Sequence, residues 1–120
     1  GHEVVVGGST DQTFGPIVMF GLGGIFVEVL ADVAFRICPI TTLDAQEMID
    51  ELKTVKLLRG ARGGIVASED AIVDTLMKVG GEEGMMLALE GKVTEIDINP
   101  LIVSESEAVA VDARFVLNKD

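Results

Sequence analysis

Residues 92–114 of the chain read KVTEIDINPLIVSESEAVAVDAR. The first half of this stretch alternates polar and apolar residues, and a period of two is typical of a β-strand with two unlike faces. The alternation predicts a strand over Val93–Val103 in which Glu95, Asp97 and Asn99 share one face. The isoleucines between them are expected to form a buried backing on the other face.

The second half of the stretch predicts a partner strand over Ala108–Leu117 that alternates in the same way. We expect Asp112 and Arg114 on one of its faces, together with Ala110. The other face, expected to be buried, carries Val109, Val111, Ala113 and Phe115.

A tight hairpin closed around residues 104–107 would place Asn99 opposite Asp112 and Asp97 opposite Arg114. Directly paired side chains on one face have Cβ atoms roughly 4.5–5.5 Å apart. The oxygens of Asn99 and Asp112 can therefore converge on one small cation. A carboxylate with an amide oxygen suits Mg²⁺, which keeps several waters and takes further ligands from substrate phosphates.

Spacing alone leaves a second interpretation of this hairpin open. Exposed strands are often polar, and Asp97 with Arg114 is an ordinary cross-strand ion pair. The pattern therefore predicts either half of a metal and phosphate site or a solvated strand face.

The residues before this hairpin predict the rest of the sheet and two helices. An antiparallel meander is expected from short β-rich runs separated by turn residues, and the runs are Glu3–Val6, Pro16–Phe20, Ile25–Leu30 and Val33–Ile37. Thr41 and Asp44 have the spacing of a capping box, and Ser68 is the expected cap of a second helix. The predicted fold class is α+β: a mainly antiparallel sheet of five or six strands with two helices on one face.

Composition and charge exclude several classes of function. The 120 residues carry 9 Lys and Arg against 20 Asp and Glu, and the net charge of −11 repels nucleic acids and anionic membranes. The longest apolar stretch, residues 17–30, is too short and too interrupted to span a bilayer. Cys38 has no partner for an internal disulfide, and nothing at the N-terminus resembles a secretory signal. We therefore expect a cytoplasmic protein.

Gly1 and His2 are interpreted as the remnant of an expression tag, so the domain is expected to span residues 3–120. Without His2 the segment contains no histidine. Histidine-based triads, histidine metal sites and a phosphohistidine within this segment are thereby excluded.

Several joined motifs resemble one family. EIDINPL (95–101) followed by VAVDAR (109–114) is similar to the end of the ATP-grasp domain in ADP-forming acyl-CoA (acetyl-CoA) synthetases. The succinyl-CoA synthetase β subunit is a more distant likeness. Upstream segments resemble the same family in the same order, namely FGPIVMFGLGGIFVEV (14–29), VAFRI (33–37) and LLRGARG (57–63). The resemblance covers residues 3–116, and it identifies the chain as the second lobe of an ATP-grasp domain.

The resemblance implies an activity and a ligand set. Such enzymes interconvert acyl-CoA, ADP and phosphate with the free acid, CoA and ATP, and they pass the phosphoryl group through a phosphohistidine. In the family's pattern, Asn99 and Asp112 hold the Mg²⁺ that bridges the phosphates of ATP or ADP. Asp97 is then a further ligand or orients the metal from the outer shell.

Further candidates for contact with the nucleotide or its phosphates lie in the first third of the chain. Glu3 matches the acid that begins a strand near the nucleotide ribose in ATP-grasp enzymes. Gly23 and Gly24 either offer backbone amides to phosphate or form a tight turn.

Arginines supply the remaining candidates for phosphate binding. Arg36 is expected either to face the cleft or to form a structural ion pair. Arg59 and Arg62 lie in a glycine-containing loop suited to clamping an anion. Each of these two is equally well explained as a surface charge.

An ATP-grasp site lies between two lobes, so this chain is expected to need partners. They are the first lobe, the CoA-binding domains and the nucleotide, and the isolated chain is expected to fold without catalysing. Two alternatives stay open. The chain can belong to the synthetase-like regulatory region of a protein acetyltransferase, or it can be a plain α+β assembly domain.

Overall fold

The computed structural model describes residues 1–23 and 32–119, and these ranges contain a six-stranded antiparallel sheet. The strands are β1 (His2–Asp11), β2 (Gly15–Leu22), β3 (Val33–Ile37), β4 (Val93–Val103), β5 (Ala108–Ala110) and β6 (Ala113–Leu117). Their order is β3-β2-β1-β4-β5, and β6 also pairs with β4. The predicted strand Ile25–Leu30 lies outside the described residues, as does Gly24. The antiparallel α+β fold predicted from the sequence is confirmed.

Both predicted helices are present, and both begin at their predicted caps. The helices are α1 (Thr42–Asp50), α2 (Val55–Leu58), α3 (Glu69–Gly80) and α4 (Met85–Ala88), with a 3₁₀ turn at Ala61–Gly63. Thr41 Oγ1 accepts from the Asp44 backbone N at 3.1 Å, and the Asp44 carboxylate accepts from the Thr41 N at 2.8 Å. Ser68 Oγ caps α3 by accepting from the backbone N of Ala71 at 3.2 Å.

Helix α3 ends at a close approach to the sheet. A Cβ on Gly80 would lie 2.8 Å from the Cβ of Val18, so only glycine allows this approach. The N–H of Gly81 closes the helix on the carbonyl of Met77 at 2.8 Å. Helix α4 is therefore a separate turn. The apolar pattern of the sequence does not predict whether residues 85–90 continue α3 or form a helix of their own.

The core lies between the helices and one face of the sheet. Alternate strand residues such as Val18 and Phe20 are fully buried there, and they pack on helix residues such as Met48 and Leu76. The opposite face, which no described helix covers, is called the open face below. No helix among the described residues is long and apolar enough to cross a membrane.

The second strand of the hairpin is interrupted, unlike the continuous strand predicted over Ala108–Leu117. The break falls at Val111 and Asp112, between β5 and β6. Across it, the Asn99 N donates to the Asp112 carbonyl and the Val111 N donates to the Pro100 carbonyl, both at 3.1 Å. These two hydrogen bonds continue the predicted register, which β5 and β6 keep on either side.

Strand β4 holds one extra residue at this break. Val4 pairs with Leu101 whereas Val6 pairs with Ile98, which is a β-bulge. Ile98 and Leu101 are both buried, although strict alternation would put positions three apart on opposite faces. Ala110 pairs with Leu101 and so shares its face. The prediction that Ala110 lies on the polar face is therefore wrong, because a bulge is invisible to a period-two rule.

The apolar side chains of the second hairpin strand are exposed rather than buried. Val109, Val111 and Phe115 are 51%, 64% and 42% exposed, so the predicted buried backing is wrong here. These residues lie on the edge of the sheet, whereas the apolar core is gathered over β1, β2 and β4. Val109 also pairs with Ile102, a position on the open face.

Candidate metal and nucleotide site

The polar residues of the hairpin meet on the open face as the sequence predicts. Asp97 pairs directly with Arg114, and the next pair, Ile98 with Ala113, faces the helices. Asn99 and Asp112 each lie one residue beyond that pair, and Asn99 belongs to the bulge between the buried Ile98 and Leu101, which leaves it on the side away from the helices. Both residues are exposed.

The backbone holds Asn99 and Asp112 side by side. The Asn99 N–H bonds to the carbonyl of Asp112 at 3.1 Å, and neighbours of this kind have Cβ atoms roughly 4.5–5.5 Å apart. Their amide and carboxylate oxygens are hard donors that suit Mg²⁺. Within residues 1–23 and 32–119, no three His, Cys, Asp or Glu side chains form a metal-binding group. A cation here would thus keep waters or take ligand oxygens.

Asp97 and Arg114 form a loose ion pair beside this couple. Arg114 Nη2 lies 3.9 Å from Asp97 Oδ2, and the side chains are 75% and 42% exposed. A pair this long and this exposed contributes little to stability. Both groups are therefore available to a ligand, so the ion pair does not exclude a binding role.

A concavity of about 200 Å³ lies on the open face next to Asp97. Gly7 forms its floor, because Gly7 pairs with Asp97 on one side and with Met19 on the other and has no side chain. Charged residues of the hairpin form one wall. Apolar side chains form the other wall, and they are Ile17, Met19 and Phe35. An apolar wall facing a few polar groups is typical of a small-molecule site.

This concavity was not predicted from the sequence. A usable signal is the Gly7-Gly8 pair inside a β-rich run, because glycine in a strand marks a close approach by another backbone or by a ligand. On the helix side, a Cβ on Gly8 would lie 2.5 Å from the sulfur of Met86. The two glycines therefore act on opposite faces of the sheet. Gly7 leaves room for the concavity on the open face, and Gly8 allows α4 to pack closely on the other face.

Glu3 and Gly23 lie together at the start of β1. The Gly23 N–H donates to the carbonyl of Glu3 at 2.8 Å. Glu3 is exposed and pairs with Ile102, which places it toward the Asn99 end of the open face. The remaining glycine predicted for this cluster, Gly24, lies outside the described residues.

Arg36 is not brought to the open face. It pairs with the buried Val18 and therefore shares the helix-side face. Its guanidinium donates to both oxygens of Glu51 at 3.0 and 2.6 Å. Hydrogen bonding to Glu51 raises the pKa of Arg36 and lowers that of Glu51, although burial opposes both shifts. The structural alternative raised for Arg36 is the one the structure shows.

Arg62 lies in a loop at the end of the sheet rather than beside Asn99. The His2 ring Nε2 contacts the carbonyl of Ile65 in this loop at 2.7 Å. His2 opens β1 and pairs with Val103, at the far end of β4. Arg62 itself is exposed, with φ 60° and ψ 29°.

Comparison with known proteins gives consistent results. The model of a family described as an ATP-grasp domain matches residues 1–117. The β subunit of acetate–CoA ligase (ADP-forming) I of Pyrococcus furiosus is 53% identical over 98% of this chain, which spans 49% of that protein. The acetate–CoA ligase (ADP-forming) I of Archaeoglobus fulgidus is 47% identical over 100% of this chain, which spans 17% of it. The chain thus spans about half, or less, of the curated relatives it matches.

A solved structure shows the same fold. It is the dinucleotide-forming acetyl-coenzyme A synthetase 1 of Ca. Korarchaeum cryptofilum, in complex with coenzyme A and Mg-AMPPCP and with its phosphohistidine segment pointing towards the nucleotide binding site. It matches with a TM-score of 0.88 and 42% identity, over 98% of this chain and 54% of that one.

Proposed function

The chain belongs to the ATP-grasp family, and we propose that it forms the metal-binding lobe of the nucleotide site in an ADP-forming acyl-CoA synthetase. The complete protein interconverts acyl-CoA, ADP and phosphate with the free acid, CoA and ATP. Because the chain spans about half of its matched β-subunit relative, turnover belongs to the complete protein. The chain alone is inactive in this proposal.

The observation that carries the proposal is the couple of Asn99 and Asp112 on the open face. The Asn99 N donates to the Asp112 carbonyl at 3.1 Å, and their side chains supply one neutral and one anionic oxygen ligand. Mg²⁺ bound there supplies positive charge that neutralises nucleotide phosphates. A chain with a net charge of −11 needs such a cation to accept an anionic nucleotide.

Other residues of the chain orient the ligands. Asp97 lies two residues along β4 from Asn99, where it would hold metal-bound water or serve as a further ligand. Arg114 balances the negative charge of Asp97. The concavity above Gly7 accommodates the ligand beside these groups.

Phosphate and ribose contacts are proposed at the ends of the strands. Glu3 and Gly23 contact the nucleotide at the start of β1, with Gly24 next in the chain, and Arg62 contacts a phosphate at the end of β4. Arg36 is left out of this set because Glu51 occupies its guanidinium.

We also propose that the protein acts in the cytoplasm with the first ATP-grasp lobe and CoA-binding domains as its partners. The net charge of −11 favours neither nucleic acid nor an anionic membrane as a further partner. The relatives named above are ligases, which favours a synthetase over the regulatory region of an acetyltransferase.

The metal role is tested by measuring turnover of the full-length protein against Mg²⁺ concentration. Asp112→Ala and Asn99→Ala are each expected to raise the Mg²⁺ needed for half-maximal activity by at least about 10-fold. Glu105→Ala is the matched control, because it removes an exposed acid from the turn of the same hairpin. Unchanged Mg²⁺ dependence in Asp112→Ala, or an equal shift in the control, would refute the metal role.

The lobe assignment has its own test. The 120-residue chain is assayed with ATP, acetate and CoA, and no turnover above the blank is expected. Turnover comparable with the full-length protein would show that the chain holds a complete site.

A further inference from the structure

The loop that carries Arg62 has an unusual backbone. This loop, residues 59–66 and here called the arginine loop, connects α2 to α3. Gly60, Arg62 and Gly63 all have positive φ, at 89°, 60° and 74°, and Arg62 is the only non-glycine with positive φ among the described residues. L-residues with a side chain rarely adopt this region, so the surrounding structure must hold Arg62 there.

Arg62 also differs from the other arginines in its side-chain contacts among the described residues. Arg36 and Arg59 form close ion pairs, and Arg114 lies within 3.9 Å of a carboxylate. The Arg62 side chain makes no ion pair or hydrogen bond with any residue in 1–23 or 32–119. Although the chain has 20 acidic residues, the Arg62 guanidinium is available to bind a phosphate, whose oxygens match the spacing of its N–H donors.

Arg59 ties the first residue of the arginine loop to two helices. Its Nε and Nη2 donate to the two oxygens of Glu69 in α3, both at 2.9 Å, and its Nη2 also donates to Asp50 of α1 at 2.5 Å. Gln46 bridges the same two carboxylates at 3.2 and 2.9 Å. These hydrogen bonds raise the pKa of Arg59 and lower those of Glu69 and Asp50, so the cluster is charged near neutral pH.

The base of the arginine loop is closed by backbone contacts. Arg59 and Val66 form an antiparallel bridge, and the Ala67 N donates to the Leu58 carbonyl at 2.7 Å. Residues 60–63, which include the three with positive φ, therefore lie within a loop whose two ends are held together. Arg59 adds side-chain bonds from the loop base to both α1 and α3.

We propose that Arg59 is a positioning residue. Its ion pairs with Asp50 and Glu69 hold the arginine loop so that Arg62 presents its guanidinium to a phosphate group of a bound ligand. The identity of the ligand rests on the proposed function, in which ATP, ADP and coenzyme A all carry phosphates. The loop meets the sheet near Val103, four residues or roughly 13 Å along β4 from Asn99. Arg62 therefore contacts a different part of the ligand, or a different ligand, from the metal couple.

The test measures binding of ATP and of coenzyme A, each separately, to the full-length protein by calorimetry. Arg62→Ala is expected to weaken the affinity for one of the two ligands by about 10-fold or more, because it removes a charge-assisted hydrogen bond. The ligand that is weakened identifies the source of the phosphate. Arg59→Gln is expected to weaken the binding of the same ligand. The double variant is expected to bind that ligand no more weakly than Arg62→Ala alone, because Arg59 acts only through Arg62.

Arg36→Gln is the matched control. It removes an equivalent two-bond pair with a glutamate, Glu51, in which both side chains are also partly exposed. This variant is expected to leave both affinities unchanged. Glu69→Gln is a milder second variant that keeps the shape of the cluster if Arg59→Gln fails to fold.

A readout independent of ligands separates this inference from the proposed function. Backbone chemical shifts of the 120-residue chain report the φ of Arg62, which is expected to leave the left-handed region in Arg59→Gln and to stay in Arg36→Gln. A retained φ with full affinity in Arg59→Gln would overturn the positioning role. Unchanged affinity for both ligands in Arg62→Ala would overturn the phosphate contact. If wild type binds neither ligand, the proposed function and the phosphate contact fail together, and the φ measurement alone decides whether Arg59 holds the loop.

Discussion

Asp32 offers a quantitative prediction, because it is the only buried charged residue among the described residues, at 2% exposure. Its carboxylate accepts from the backbone N of Lys53 at 2.6 Å, from the backbone N of Thr54 at 2.9 Å and from the Thr54 hydroxyl. Replacing Asp32 with Ala leaves these donors without their acceptor. A hydrogen bond to a charged group contributes roughly 1.5–3 kcal/mol, and some are replaced by water. We therefore expect a loss of about 3 kcal/mol in the free energy of unfolding.

The assay is urea unfolding of the 120-residue chain followed by circular dichroism. Asp74→Ala is the control, because it removes an exposed carboxylate that pairs with Lys78 at 3.0 Å, a contact worth about 0.5 kcal/mol or less. An Asp32→Ala loss no larger than the control's would show that these three bonds add nothing beyond hydration.

The pH dependence of the same variant has a definite sign. Burial raises the pKa of Asp32, but hydrogen bonds from Thr54 and Lys53 outweigh it and lower the pKa below its ordinary value of 3.8. A lowered pKa in the folded state stabilises the fold above the unfolded pKa, and this contribution disappears as pH falls through the folded pKa. The stability difference between wild type and Asp32→Ala should therefore be constant from about pH 5 to 8 and shrink below about pH 4. A difference that grows on acidification would contradict the assignment.

Two further predictions concern packing. Gly80→Ala should destabilise the chain by about 1–2 kcal/mol in urea unfolding, because its Cβ would lie 2.8 Å from that of Val18 and overpacking outweighs the helix propensity gained. Gly64→Ala, whose Cβ would meet nothing closer than 3.4 Å, should change stability by less than about 0.5 kcal/mol, and equal losses would disprove the close approach. Cys38 should resist alkylation at pH 8 until the chain is unfolded. Burial raises its pKa to about 11, so about one thiol in a thousand is ionised at that pH, and rapid labelling of the folded chain would show that the thiol is accessible.

Local patterns in the sequence predicted much of this fold. The Thr41 and Asp44 capping box and the Ser68 cap form as their spacing predicts, because both depend only on residues three apart. The hairpin register, with Asp97 opposite Arg114, follows from a turn length and a period of two. These are short-range rules, so the sequence expresses them directly.

The errors arise where the period of two fails. The extra residue of β4 near Pro100 changes the phase of both hairpin strands, and it sends Ala110 to the helix side. Nothing in the alternation of residues 108–117 signals that break. Val109 is exposed because the same bulge places it on the open face. The exposure of Phe115, which pairs with the buried Ile96, depends instead on where the helices end over the sheet, which is a property of tertiary packing.

The candidate site was predicted unevenly for the same reason. Asn99 and Asp112 come together through one hairpin. Arg36 and Arg59, however, find Glu51 and Glu69 across separate elements, which sequence spacing does not encode. The concavity over Gly7 is lined by residues of five strands, β1 to β4 and β6, so the Gly7-Gly8 pair was its one signal in the sequence.

In the proposed function, Asn99 and Asp112 form a cation site that a nucleotide completes. The most direct measurement is an NMR titration of the isotope-labelled 120-residue chain with Mn²⁺, a paramagnetic substitute for Mg²⁺, without and then with ATP. We predict line broadening centred on Asn99 and Asp112, sharpened by ATP and abolished by Asp112→Ala. Broadening spread over the acidic surface, at Glu105 as much as at Asp112 and unaffected by ATP or by the substitution, would contradict the claim.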